Sequence, residues 1–262
     1  MSNTSPLLFT REDGLARLTL NRPDAANTLD PAMSRALFEA AIECDEDETI
    51  RAVLLTGTGK LFCGGGDING FAQAGENVSR LAKQLTTILH GAVSRLARMG
   101  KPMVVAVNGP AAGAGLSLAM LGDIVIAAPE AHFTVAYTAI GLTPDLGTSW
   151  LLPRLVGLRR AQELALTNRR VPAQEAAAIG LITRVAEIDA LAEAEAVAKA
   201  LAEGPVAALG GTRALLGRSL TTGLEEQLEL EARSIATALR GAEGQEGIAA
   251  FLSKRKPDFR KA

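Results

Sequence analysis

Three short runs of consecutive apolar residues constrain the fold of this chain more than any other feature. They are AVLL at 52–55, VVAV at 104–107 and IVIA at 124–127. Strands that are apolar on both sides are typical of a parallel sheet covered by helices on both faces. Residues 15–20 (LARLTL) alternate instead, like a half-buried strand. Longer helical patterns separate these runs, as crossover connections require, so we predict an α/β fold.

Two amphipathic helices are predicted between the strands. The first begins at Asp30 and Pro31, with the aspartate as cap and the proline at the first helical position. The second ends before Gly100. After about residue 186 only helical patterns remain, so we predict a core over 1–190 and a helical region over 191–262 of the same domain. The apolar stripes of the two helices are Met33, Leu37, Ala41 and Cys44, and Leu81, Leu85, Leu89, Ala92 and Leu96.

Composition excludes several classes of function. The chain is 48% apolar and carries a formal charge of -2, which argues against binding to nucleic acid or an anionic membrane. No secretory signal or membrane span is evident, so we expect a soluble cytoplasmic protein. Cys44 and Cys63 have no metal-ligand spacing, which indicates reduced thiols and no metal site.

The first segment that could take part in binding or catalysis is FCGGGD at 62–67. Three glycines without Cβ atoms allow backbone N–H groups to approach a ligand closely. A flexible turn is the plainer interpretation of the same composition. A phosphate-binding P-loop is excluded because Leu61 follows Lys60 where that motif requires Ser or Thr.

The second segment is NGPAAGAGLS at 108–117, between the strand at 104–107 and an apolar helix predicted to end near Gly122. The free N–H groups of a helix start attract negative charge, such as a developing oxyanion. A dinucleotide site is disfavoured because Leu118 replaces the third glycine. A hydrolase triad through Ser117 would need the later His132, which lies in a run typical of a strand.

The third segment is GLTPDLG at 141–147. Its plain interpretation is a turn in which Asp145 caps the following helix. The functional alternative is that the rigid turn at Pro144 delivers the Asp145 carboxylate into an apolar pocket for proton transfer. His90 is interpreted as a satisfied or solvent-facing residue of the second helix.

Five segments in order resemble the enoyl-CoA hydratase/isomerase, or crotonase, superfamily over nearly the whole chain. Within it, the stretches IGLTPD at 140–145 and WLLPRLVG at 150–157 are most similar to the branch of ring-1,2-epoxyphenylacetyl-CoA isomerases and Δ3,Δ2-enoyl-CoA isomerases. The segments are LTLNRPDAANTLD, LFCGGGDI, VNGPAAGAGLSLAMLGDIVIA, IGLTPDLGTSWLLPRLVG and FLSKRKPDF.

The resemblance implies a crotonase-like spiral of repeated ββα units with a helical carboxy-terminal trimerisation region. It implies a homotrimer or a dimer of trimers. It also implies an acyl-CoA substrate, with coenzyme A as part of the substrate and no separate cofactor.

The resemblance further implies that the backbone N–H groups of Gly66 and Ala114 hold the thioester oxygen while an enolate forms. Losing one such donor typically raises the barrier by about 2.7–4 kcal/mol. The two glutamates of the hydratases are replaced by Ser117 and Tyr137. Asp145 stands where the isomerase branch has its catalytic carboxylate, which predicts a proton shuttle for double-bond or ring isomerisation.

Three alternatives remain open from the sequence. A 2-enoyl-CoA hydratase could use Asp145 alone. Aryl-CoA dehalogenases of the superfamily have a histidine placed like His90, an aromatic residue near Tyr137 and an aspartate nucleophile at the Asp145 position. A non-catalytic member of the family is the third.

The resemblance also assigns residues to substrate binding. Phe251 and Lys254 match residues that reach the coenzyme of a neighbouring subunit, although a basic tail such as 254–261 is more often simply solvated. Residues assigned to the coenzyme path or the substrate cavity are Ala26, Cys63, Gly64, Asp67, Ile68, Gly113, Ser117 and Tyr137.

Overall fold

A computed structural model of the chain describes residues 5–262. The strands in this range are β1 (Leu7–Glu12), β2 (Leu15–Leu20), β3 (Ala52–Gly57), β4 (Met103–Val107), β5 (Ala111–Ala112), β6 (Ile124–Ala127), β7 (His132–Thr134), β8 (Val171–Pro172) and β9 (Arg184–Val185). The helices are α1 (Pro31–Glu46), α2 (Ile68–Gln73), α3 (Val78–Arg98), α4 (Ala114–Ala119), α5 (Thr148–Val156), α6 (Leu158–Thr167), α7 (Ala173–Ala178), α8 (Ala190–Ala202), α9 (Val206–Ser219), α10 (Leu224–Arg240) and α11 (Ala242–Leu252).

The main sheet has six strands in the order β1-β2-β3-β4-β6-β9. β1 pairs with β2 antiparallel, and the other neighbours pair parallel. All of β4 is buried, as are the first five residues of β3. The sheet expected from the apolar runs is therefore confirmed. A second, smaller sheet joins β5, β7 and β8 beside it.

The first two long helices follow the sequence prediction closely. The Asp30 side chain accepts a hydrogen bond from the Met33 N–H at 2.8 Å, and Pro31 opens α1. The whole predicted stripe of α1 is buried. In α3 the predicted stripe is buried except for Leu81, which is half-buried in the first turn. These two helices pack against each other over one face of the sheet.

The other face of the sheet is covered by α8. This helix presents alanines to the sheet, four positions apart, and all are buried: Ala190, Ala194, Ala198 and Ala202. Small side chains let the helix lie close to the strands. The segment predicted as the helical region at 191–262 thus begins inside a helix that packs on the sheet.

Arg213 joins α9 to the body of the protein. Arg213 donates to the carboxylate of Asp123 at 2.7 Å and to the carbonyls of Met99 and Leu96 at 2.7 and 2.8 Å. These carbonyls lie at the end of α3, so the guanidinium satisfies acceptors that a helix end leaves open. Within the described chain no strand follows β9, as predicted.

Both cysteines are free and buried. Burial raises the pKa of each thiol, Cys44 and Cys63, to about 12. No helix within residues 5–262 combines the length and apolarity needed to cross a membrane. The same residues contain no group of three or more His, Cys, Asp or Glu side chains arranged to hold a metal ion.

Candidate active site

The segments 62–67 and 108–115 meet at the centre of the candidate site. The Ala112 N–H donates to the Cys63 carbonyl at 3.0 Å, and the Cys63 N–H donates to the Pro110 carbonyl at 3.3 Å. Phe62 and Cys63 are fully buried. The flexible-turn interpretation of 62–67 is therefore wrong, because the segment is paired with a second segment of backbone in the core.

The contact between the two segments depends on glycine. A Cβ on Gly115 would lie 2.2 Å from the Cys63 carbonyl oxygen, and one on Gly65 would lie 2.9 Å from the Ala112 carbonyl oxygen. Gly65 and Gly113 also have φ angles of +99° and +54°. A side chain at these positions would separate the segments or strain the backbone.

We call the place where the two segments meet, at residues 64–66 and 113–115, the glycine junction. Two backbone N–H groups at the glycine junction have no hydrogen-bond acceptor within the described part of the chain. Ala114 is the first residue of α4, so its N–H has no acceptor inside that helix. Neither this N–H nor that of Gly66 has a hydrogen-bond acceptor among residues 5–262. The two groups belong to adjacent segments, since a Cβ on Gly65 would lie 3.4 Å from the Ala114 nitrogen. Both are therefore available to a ligand, as an oxyanion site would require.

The helix after this junction is shorter than predicted. We expected it to end near Gly122, but α4 ends at Ala119. The strand β5 at Ala111–Ala112 also intervenes before the helix, because these residues pair with Phe133 and Thr134 of β7. This pairing is long-range and leaves no trace in the local pattern.

Asp145 does not cap α5. Gly147 occupies the cap position, and its helix start has no side-chain cap. The Asp145 Oδ1 instead accepts a hydrogen bond from the Tyr137 hydroxyl at 2.5 Å, and the Asp145 carbonyl accepts one from the Thr148 N–H at 2.9 Å. The capping interpretation is thus wrong, and the half-buried carboxylate is held by a phenol.

A buried hydroxyl pair lies next to this phenol. The Ser117 and Thr148 hydroxyls are hydrogen-bonded to each other, and both residues are buried. The Tyr137 ring lies beside the glycine junction, with its Cζ 3.9 Å from the position of a Cβ on Gly113. Burial first, and then the charge of Asp145, raise the pKa of Tyr137, so the phenol keeps the proton it donates. Sequence reasoning missed Thr148, whose only signal is its place at the start of a helix.

His90 is exposed on α3, yet it is hydrogen-bonded to the turn at residues 145–147, which begins with Asp145. Its Nε2 accepts a hydrogen bond from the Leu146 N–H at 3.3 Å. Leu146 is buried and has a φ of +47°, in the left-handed region that favours glycine. The prediction of a satisfied or solvent-facing histidine holds in both respects, but the partner could not be inferred from the sequence.

The residues assigned to the coenzyme path gather beside Gly66. The Gly64 N–H donates to the Ala26 carbonyl at 2.8 Å. Asp67 caps the short helix α2 by accepting from the Gly70 N–H at 3.2 Å, and Ile68 at its start is half exposed. Cys63 is fully buried, and its thiol donates a hydrogen bond to the Asn27 carbonyl.

Phe251 and Lys254 are not brought to this site within the chain. They lie at the end of α11, and Phe251 is 83% exposed. No hydrogen bond between described residues joins either side chain to the other predicted site residues. In the rest of the basic tail, Arg255 pairs with Glu246 at 2.6 Å.

Comparison of the sequence with known protein families identifies the same class of protein that the fold and the paired glycine segments indicate. The sequence profile of the enoyl-CoA hydratase/isomerase family matches residues 10–262. The chain is 41% identical over 257 residues to 1,2-epoxyphenylacetyl-CoA isomerase of Escherichia coli, covering 95% of each protein.

Solved structures agree. The chain superposes on an enoyl-CoA hydratase from a Polaromonas species with a TM-score of 0.91 and 36% identity, over 96% of this chain and 98% of that one. The chain also superposes on an enoyl-CoA hydratase from Mycobacterium smegmatis with a TM-score of 0.89 and 32% identity, over 97% of this chain and 99% of that one. The fold is therefore that of the crotonases, as predicted.

The chain belongs to the enoyl-CoA hydratase/isomerase family. It is thus an enzyme of CoA thioesters. The predicted resemblance, including the similarity to the epoxyphenylacetyl-CoA isomerase branch, is confirmed.

Proposed function

We propose that this enzyme isomerises an acyl-CoA by moving one proton, shifting a double bond or opening a strained ring. The observation that carries the proposal is the Asp145 carboxylate held by Tyr137 beside the glycine junction. By the resemblance to the family, Ser117 and Tyr137 stand at the two positions at which its hydratases carry glutamates. A single carboxylate suffices for isomerisation, because the proton it takes from one carbon is returned to another.

The proton transfer can be written with the groups available. The thioester oxygen would accept from the N–H groups of Gly66 and Ala114. Asp145 would remove a proton from the carbon next to the thioester carbonyl of a 3-enoyl-CoA. The C–H electron pair would then move toward the carbonyl oxygen and form a dienolate. Transfer of a proton from the Asp145 carboxyl group to the far carbon of the dienolate gives the 2-enoyl-CoA, and the carboxylate is regenerated.

The hydrogen bonding of Asp145 supports this role. Tyr137 donates to Oδ1, whereas Oδ2 has no hydrogen-bond donor among residues 5–262. One oxygen is thereby fixed and the other is available to a substrate proton. Two preorganised main-chain donors lower the energy of the enolate, and the loss of one donor typically raises the barrier by about 2.7–4 kcal/mol. This chemistry requires no metal or redox cofactor.

Asp145→Asn tests the proposal. We expect the variant to fold and bind CoA esters but to lose isomerisation of 3-enoyl-CoA and the exchange of substrate protons with heavy water. Asp13→Asn is the matched control, because Asp13 is an exposed turn residue far from the site in sequence and expected to leave turnover unchanged. Retained turnover in Asp145→Asn would reject the role.

The same assay separates isomerase from hydratase. Rapid conversion of crotonyl-CoA to 3-hydroxyacyl-CoA, with little isomerisation, would favour a 2-enoyl-CoA hydratase. Incorporation of heavy oxygen into the Asp145 carboxylate after a single turnover in labelled water would instead indicate a nucleophile.

We also infer that α9 to α11 form the contacts of a trimer or a dimer of trimers, in which Phe251 and Lys254 reach the coenzyme of a neighbour. The support is the set of large apolar side chains that these helices leave exposed, a feature typical of contacts between proteins. Sedimentation equilibrium tests the assembly, and truncation after Gly247 tests the coenzyme contact. The exposed apolar residues are Leu216, Leu220, Leu224, Leu228, Ile235, Leu239, Ile248, Phe251 and Leu252.

A further inference from the structure

We infer that His90 is a positioning residue for Asp145 and acts through the backbone of Leu146, an inference that rests on the proposed function. The ring is on α3, 56 positions before Leu146 in the chain, and its Nε2 accepts the Leu146 N–H at 3.3 Å. Leu146 directly follows the carboxylate that would move the proton. His90 thus ties the turn to a long helix that packs on the core.

The turn needs such a tie because its backbone is strained. Leu146 has a φ of +47° although it carries a Cβ, and Gly147 follows with a φ of +82°. Residues held in this region persist only where their surroundings impose the conformation, and they concentrate at functional sites. The side chain of Leu146 is 1% exposed, so it is fixed in the core while its N–H points to His90.

Three contacts fix the carboxylate, and each acts on a different atom. Tyr137 holds Oδ1, the Thr148 N–H holds the Asp145 carbonyl, and His90 holds the next N–H along the chain. The Thr148 N–H bond is local and closes the turn, so this bond does not link the turn to α3. His90 supplies that link from α3.

For the inferred role, the imidazole of His90 needs only to accept the hydrogen bond from the Leu146 N–H at its Nε2. The imidazole must therefore carry its proton on Nδ1, because an imidazolium has no acceptor. A glutamine can place its Oε1 near the position of Nε2, whereas asparagine is shorter and leucine offers no acceptor. The series Gln, Asn and Leu at position 90 consequently separates hydrogen bonding from proton transfer.

We expect His90→Leu and His90→Asn to lower kcat about 10- to 100-fold while KM for the CoA ester changes less than about twofold, as for a misplaced catalytic group. His90→Gln should restore most of kcat. Ser94→Leu, one turn further along the exposed side of α3, controls for an added apolar residue and should leave kcat unchanged. Thermal unfolding verifies that each variant folds.

A second readout is the tautomer of His90 in the intact enzyme. The chain has two histidines, so His132→Gln assigns both sets of ring nitrogen signals in an NMR spectrum. An Nδ1–H tautomer is expected for His90. An Nε2–H tautomer would overturn the inference.

Asp145→Asn is measured in parallel, which distinguishes two kinds of failure. If it keeps turnover, the proposed function fails and this inference fails with it. If it loses turnover while His90→Leu keeps the wild-type kcat, only the role of His90 is refuted. If His90→Gln is as impaired as His90→Leu although both fold, the ring acts by proton transfer or attack, and positioning is refuted.

Discussion

Gly115→Ala should damage stability and catalysis together. The new methyl group would lie 2.2 Å from the Cys63 carbonyl oxygen and 2.7 Å from its Cβ. Ordinary contact requires about 1 Å more, and Cys63 is fully buried, so the backbone must move. Overpacking of this kind typically costs about 1–3 kcal/mol of unfolding free energy.

The shift also acts on the site, since Ala114 precedes the altered residue and Cys63 lies three residues before Gly66. A displacement of about 1 Å between the proposed donors should lower kcat about 100-fold. Denaturant unfolding and isomerisation of a 3-enoyl-CoA measure the two effects. Gly217→Ala is the control, because its Cβ would meet nothing within 4 Å in α9. That change should be neutral or stabilise by about 0.4–1 kcal/mol. A Gly115→Ala enzyme with wild-type stability and kcat would refute the packing argument.

Three further predictions concern the body of the protein. Lys101→Met should lower unfolding free energy by about 1–3 kcal/mol in denaturant titration, because Nζ donates to the carbonyls of Cys44 and Asp47 at 2.7 Å each; unchanged stability would contradict it. Hydrogen bonds from Thr49, and then the Arg11 guanidinium, lower the pKa of Asp47 from 3.8 to about 2, so its contribution is complete above pH 3.8 and lost as pH falls toward 2. Thr49→Val should therefore destabilise at pH 6 and have little effect at pH 2, and equal effects at both would refute this. Cys44 and Cys63 should not react with a thiol reagent at pH 8 until the protein is unfolded, since burial raises the pKa of each thiol.

The fold could be predicted where the determinants are local. The start of α1 at Asp30 and Pro31 depends on a cap and a ring within one turn, and the buried strands are continuous apolar runs. The two-residue strands β5, β8 and β9 were not predictable, because each exists only through a distant partner. The end of α4 was misplaced for a related reason, since the apolar run continues beyond the helix.

The candidate site was predictable as a set of segments but not as a set of contacts. Glycines at 64–66, 113 and 115 indicate close backbone approach wherever they occur. Local turn chemistry favours Asp145 as a cap, yet the Tyr137 phenol provides a tertiary partner and takes the side chain away from the helix. The bond between His90 and Leu146 joins residues 56 positions apart and follows from no periodicity.

The alanines of α8 give the sheet two unequal sides. The fully buried residues of α8 are alanines that pack with strand residues such as Val104 and Ile126, while the bulkiest side chains in the core, such as Phe62 and Phe133, are on the side of the glycine junction. A single larger residue at Ala194 or Ala198, both fully buried, would therefore push α8 away from the strands, whereas a substitution in the core on the other face of the sheet would leave the packing of α8 unchanged.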